Sequence, residues 1–134
     1  MVLVKDTLPR IVSCPMTQFV EDMEAAVGTG DWAAAAQYFT DDVLYRVGHR
    51  PPVTGVSGIK DYMEWQNSVV HWQGHTTRSK FSRGPVAYFE VESHFARVAD
   101  GKEILLPCTD IYTFRDDRIA DWRVYADISA FAQG

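Results

Sequence analysis

The sequence predicts an α+β domain in which a curved antiparallel sheet wraps around three N-terminal helices and encloses a cone-shaped pocket. Three observations carry that expectation. Apolar residues recur at helical spacing only before Val70. From His75 onward, runs of period-two alternation follow one another, divided by turn residues. Helices first and a meander second make an α+β layering. The third observation is an acid where a core residue belongs: Asp110 falls on the apolar face of one of those runs.

Residues 1–14 form an N-terminal arm. A helix follows Pro15 and runs to about Val27, with Phe19, Val20, Met23, Ala26 and Val27 on its apolar side. Gly28 and Gly30 stop it. Asp31 caps a second helix over 32–39, rich in alanine. Thr40, Asp41 and Asp42 break that helix and lead into a short strand over 43–47. A loop spans 48–55, held irregular by Pro51 and Pro52. Ser57 caps a third helix that reaches about Val70 and presents Ile59, Tyr62, Met63, Gln66 and Val69 on one side. Strands are expected over 75–82, 86–98, 103–115 and 118–128. Asp100-Gly101 is read as a tight hairpin turn.

Strand parity places the side chains. In the run 103–115, Ile104, Leu106, Cys108, Asp110, Tyr112 and Phe114 share one face. That face is the more apolar, so it turns inward and takes Asp110 with it. A buried carboxylate is costly unless hydrogen-bonded, paired or protonated. Its retention in a small domain points to a pocket where that cost serves chemistry. Ala120, Trp122, Val124, Ala126 and Ile128 form the inner face of the last strand. Ala87, Phe89, Val91, Ser93 and Phe95 form that of 86–98, leaving His94 outside with Glu90 and Glu92.

The 134 residues, 46% of them hydrophobic, suit one domain. The net charge is −5, with acids and bases interspersed. No basic stripe tracks a phosphate backbone, so nucleic acid is not an expected partner. Phe 7, Tyr 6 and Trp 4 make an aromatic-rich chain that fits a pocket for an apolar ligand. Cys14 and Cys108 make no metal or redox spacing and read as free thiols of a cytoplasmic protein. No apolar run has the length of a signal or a membrane span.

The order of elements, together with 30-GDWAAAAQYFTDDVLYRV-47, 107-PCTDIYTFRDDRIADWRVYAD-127 and the turn from Gly55 to Ile59, resembles the nuclear transport factor 2-like superfamily. The similarity is to its SnoaL-like, polyketide-cyclase-like branch. Limonene epoxide hydrolase and ketosteroid isomerase are more distant likenesses. The resemblance implies a cystatin-like α+β barrel, a homodimer, no cofactor and a hydrophobic small-molecule substrate. It also implies an isomerase, cyclase or lyase type of activity. It makes Asp110 the pocket base, or a protonated donor to an oxyanion. It makes Tyr45 a pocket tyrosine of the kind that holds water in the hydrolases, and Trp122 a pocket tryptophan. The sequence departs from the cousins elsewhere. Val47 stands where the isomerase has its base, Val124 where the hydrolase has an aspartate, and Val91 with Ser93 where the hydrolase has an Arg/Asp pair. Met23 sits near the position of the isomerase's helix-one tyrosine.

The expected catalytic set is therefore Asp110 as base, with Tyr45 and His49 or His75 as donors. Trp122, Tyr112, Met23, Cys108 and Phe95 are expected to line the substrate. His71 and His75 have His-x-x-x-His spacing, but Gly74 and the change to strand break the helix a metal would need. No metal is expected. Epoxide hydrolysis and non-catalytic ligand binding stand as alternatives to acid/base catalysis.

Overall fold

The computed structural model describes residues 15–132. The expected arm over 1–14 and Cys14 lie outside them. Helix α1 spans Pro15–Thr29 and α2 spans Trp32–Ala36. The helix over 32–39 is thus shorter than expected. Its Asp31 cap holds, with the Ala34 amide donating to Asp31 Oδ1 at 3.1 Å. Helix α1 runs through Gly28 and ends at Gly30, whose φ of 77° suits a residue without a Cβ.

Strand β1 covers Phe39–Val47 and takes in the polar triplet expected to break the second helix ahead of it. Val43, Tyr45 and Val47 point inward from it. A two-residue strand β2, Val53–Thr54, interrupts the expected loop, and α3 runs over Gly55–Val69. Thr54, not Ser57, is its N-cap, without a side-chain bond. Strands β3 (Val70–Arg83), β4 (Val86–Arg97), β5 (Glu103–Arg115) and β6 (Arg118–Tyr125) complete the sheet. The last strand ends early. Ile128, expected in it, starts a 3₁₀ helix, Ile128–Phe131, which Asp127 caps by accepting from the Ser129 amide.

The sheet is six-stranded, in the order β2-β1-β6-β5-β4-β3, and it stays curved and open. It is not wholly antiparallel, as the sequence suggested. Strand β1 lies parallel to β6, pairing Tyr45 with Trp122 and Val47 with Val124. Helix α3 explains this. It carries the chain from the β2 edge to the β3 edge and contacts β1, β2 and β3 on the way. The later strands then fold back until β6 meets β1. The helices and the inner face share one core, including Val20, Met23, Phe39, Ile59, Tyr112 and Ile119. Among the described residues no helix is long and apolar enough to cross a membrane.

Two bulges aim side chains that simple alternation misplaces. Between Trp72 and His75 the β3 strand gains one residue over β4, with Gly74 at φ 101°. The parity flips there, and His75 comes to lie opposite the inward Ser93. Between Thr113 and Phe114 the β5–β6 register slips by one, so Ile119 is fully buried where alternation favours Ala120.

The turns differ too. Asp100-Gly101 belongs to a longer connection closed by the Arg97 amide on the Lys102 carbonyl at 2.8 Å. Asp116-Asp117 makes a tight two-residue turn, at φ 53° and 65°, between the paired Arg115 and Arg118. Positive φ at both positions is the geometry of a type I′ turn, which favours Gly second. Asp117→Gly is expected to raise stability by up to about 1 kcal/mol. Urea melts against the parent would show it; a loss of stability would mean that the Asp117 side chain holds the turn.

Candidate active site

A cavity of about 480 Å³ opens between the helices and the inner face of the sheet. Its walls are largely aliphatic and aromatic. Among the described residues, Glu24, Glu64 and Asp110 are the acids of its lining, and no Lys or Arg joins them. Among the described residues no cluster of three His, Cys, Asp or Glu could hold a metal ion.

Asp110 lies in this wall, 8% exposed, where the parity of β5 puts it. Its two oxygens differ. Oδ2 accepts from Trp122 Nε1 at 3.2 Å and from the Tyr112 hydroxyl at 3.1 Å. Oδ1 is buried and has no partner. A buried acceptor left unpaired costs about 1–3 kcal/mol. Burial pushes the Asp110 carboxyl up to about 6, against the pull of the Trp122 and Tyr112 hydrogen bonds. The group is therefore mostly ionised at neutral pH, yet basic enough to take a proton.

The residues expected around Asp110 divide into three groups. Tyr45, His75, Phe95, Cys108 and Trp122 line the cavity with it. The Tyr45 ring leans on Trp122 at 4.5 Å, and burial raises its hydroxyl well above the usual tyrosine range. It can therefore serve only as a neutral donor. Burial lowers His75, so its imidazole is neutral at pH 7. Cys108 is pushed up to about 11, first by burial and then by Asp110, which leaves it a thiol without nucleophilic character.

Tyr112 and Met23 form the second group. Both are fully buried core residues that the cavity lining does not include. Tyr112 stands behind Asp110 and holds it, while Met23 packs between helix and sheet. His49 makes the third. It lies exposed in the turn after β1, outside the cavity wall. The strand ends at Val47, so parity beyond that point no longer aims side chains.

Glu24 of α1 belongs to the site and was not singled out from the sequence. Its Oε2 lies 3.1 Å from the same Tyr112 hydroxyl, and its Oε1 lies 4.0 Å from His75 Nε2. Burial, then the Asp110 charge, push its carboxyl up to about 8. A signal was present: Glu24 falls one turn after Val20 and one before Val27, within the apolar stripe.

The SnoaL-like domain model matches residues 20–122 of this chain. The chain belongs to the SnoaL-like family. Solved structures place the domain among its fold relatives. An NTF2-like protein of Burkholderia xenovorans superposes with a TM-score of 0.75 at 18% identity, covering 87% of this chain and 92% of that one. A candidate SnoaL-like polyketide cyclase of Shewanella putrefaciens gives 0.74 at 14% identity, over 87% and 92% of the two chains. An LEH-like epoxide hydrolase of M. tuberculosis gives 0.68 at 16%, over 86% and 84%. At such identities the likeness is one of fold.

Within this SnoaL-like domain, Val47, Val91, Ser93 and Val124 all line the cavity. These are the positions where the resembling isomerase and hydrolase were expected to carry working side chains. Here they make wall.

Proposed function

We propose that this SnoaL-like domain is an acid/base enzyme acting on a neutral, hydrophobic, oxygenated small molecule. Cyclisation, isomerisation or dehydration of a polyketide- or terpenoid-like carbonyl compound is the reaction class. The single observation behind this reading is the Asp110 carboxylate, buried in an apolar cavity wall with Oδ1 unpartnered. Such a group takes a proton from an acidic carbon next to a carbonyl, or from a hydroxyl. The developing oxyanion is then met by a neutral donor on the same wall, in a medium where each hydrogen bond counts for more than in water. The acids of the lining, with no Lys or Arg among its described residues, speak against carboxylate or phosphate substrates.

Deuterium exchange tests this. Apolar ketones and β-diketones incubated with the protein in D₂O are expected to gain deuterium at the acidic carbon faster than in buffer, read by proton NMR. Epoxide hydrolysis is the second reading, favoured by Tyr45 and Asp110 standing in one wall. It predicts oxygen-18 from labelled water in a diol product. Tight ligand binding with neither outcome would reduce the domain to a binding module and sink the proposal.

A further inference from the structure

We propose that Glu24 is the general acid, paired with the base Asp110 through the hydroxyl of Tyr112. This rests on the reading of Asp110 as a base and adds its partner.

The Tyr112 hydroxyl lies 3.1 Å from Glu24 Oε2 and 3.1 Å from Asp110 Oδ2. It has one hydrogen and can donate to one of them. The second contact is a hydrogen bond only when the other carboxyl carries a proton and donates to the phenol oxygen. The trio at rest therefore holds one carboxylic acid and one carboxylate. Asp110 also receives the Trp122 N–H, which favours its ionised form. Among the described residues Glu24 has no second donor at hydrogen-bond distance, since His75 stands 4.0 Å away. The proton belongs on Glu24. Both carboxyls line the same cavity, so one bound molecule can meet the base and the acid together.

The balance of protons then favours one of the three reaction types. In loss of water from a β-hydroxy carbonyl compound, Asp110 takes the proton from the carbon beside the carbonyl. The C–H electron pair becomes the new C=C bond as the C–O bond breaks. Glu24 gives its proton to the departing hydroxyl, which leaves as water. The site now holds Asp110 as acid and Glu24 as carboxylate. Once the Asp110 carboxyl turns to bring that proton against Tyr112, it passes to the Tyr112 oxygen while the Tyr112 hydrogen moves to Glu24, and the resting state returns. Burial and both neighbouring carboxyls hold Tyr112 well above the usual tyrosine range, so it stays a neutral relay.

Glu21, on its own helix, is neutralised by Lys80 at 2.8 Å. His75 on β3 is kept neutral by burial. Tyr45, Cys108, His71 and Glu64 stand elsewhere in the wall.

The test needs no substrate. Carbon-13 NMR of the labelled carboxyl carbons, followed against pH in the intact protein, reads each acid directly. Glu24 is expected to titrate above Asp110. In Asp110→Asn its midpoint is expected to fall by about one pH unit, as the facing charge is lost. Tyr112→Phe should sever the link and shift both midpoints. Glu24 titrating below Asp110 in the unmodified protein would overturn the assignment. So would a Glu24 midpoint that ignores Asp110→Asn. Either result leaves the deuterium-exchange test of Asp110 untouched, so the two ideas fail separately.

Discussion

Asp110→Asn is expected to slow proton abstraction by roughly 10²–10⁴-fold, the usual worth of a positioned base. The substitution keeps the volume and leaves a carbonyl oxygen to accept from Trp122 and Tyr112, which both bond Oδ2 in the parent. What it removes is the ability to hold a proton near neutral pH. Asp110→Ala should be at least as slow, and less stable because those two donors lose their acceptor. The measurement is the rate of deuterium incorporation into an apolar ketone, with circular dichroism to show that each variant is folded. Activity surviving in the Asn variant but lost in the Ala variant would mark the carboxyl as a structural acceptor. Full activity in both would remove Asp110 from the chemistry altogether.

That residue was legible because β5 is a regular strand. Its alternation from Ile104 to Tyr112 is uninterrupted, so counting by two was enough to turn Asp110 inward. The same logic placed Trp122 and Ser93. It failed where the backbone departs from regularity. Ile119 is buried through a register slip that no run of side chains announces. His49 lies past the end of β1, in a turn where alternation has no meaning. The parallel pairing of β1 with β6 is a long-range consequence of α3 crossing the sheet, and local pattern cannot report it. Glu24 was hidden for a different reason. Its place in the apolar stripe of α1 turns it inward, but only the facing Tyr112, 88 residues away, and Asp110 reveal its role. The fold class needed only periodicity, whereas the acid/base pair needed contact across the cavity.

Stability is expected to fall as pH rises from 6.5 to 8, and Glu24 sets the slope. A group whose folded pKa is raised favours its neutral form in the fold. Its contribution is fully present below the unfolded value and is lost as pH climbs through the folded one. Asp110 moves from 3.8 to about 6, so its loss is nearly complete by neutrality. Glu24 moves from 4.5 to about 8, so its loss continues through the window. His75 has the opposite sign, since burial lowers it from 6.5, and its stabilisation disappears only as pH falls below that. Cys108, moved from 9.0 to about 11, acts above the window. Between those limits the slope belongs to Glu24, at about 1.4 kcal/mol per pH unit, or roughly 2 kcal/mol across the range. Urea unfolding at a series of pH values measures it. Glu24→Gln should flatten the profile and leave the protein more stable than its parent at pH 8. The physical reason is that an ionised Glu24 must face Asp110 across one hydroxyl in a dry wall, and an amide need not. A parent profile already flat in that window would mean that Glu24 ionises at no cost, and the acid at the cavity wall would have to be another group.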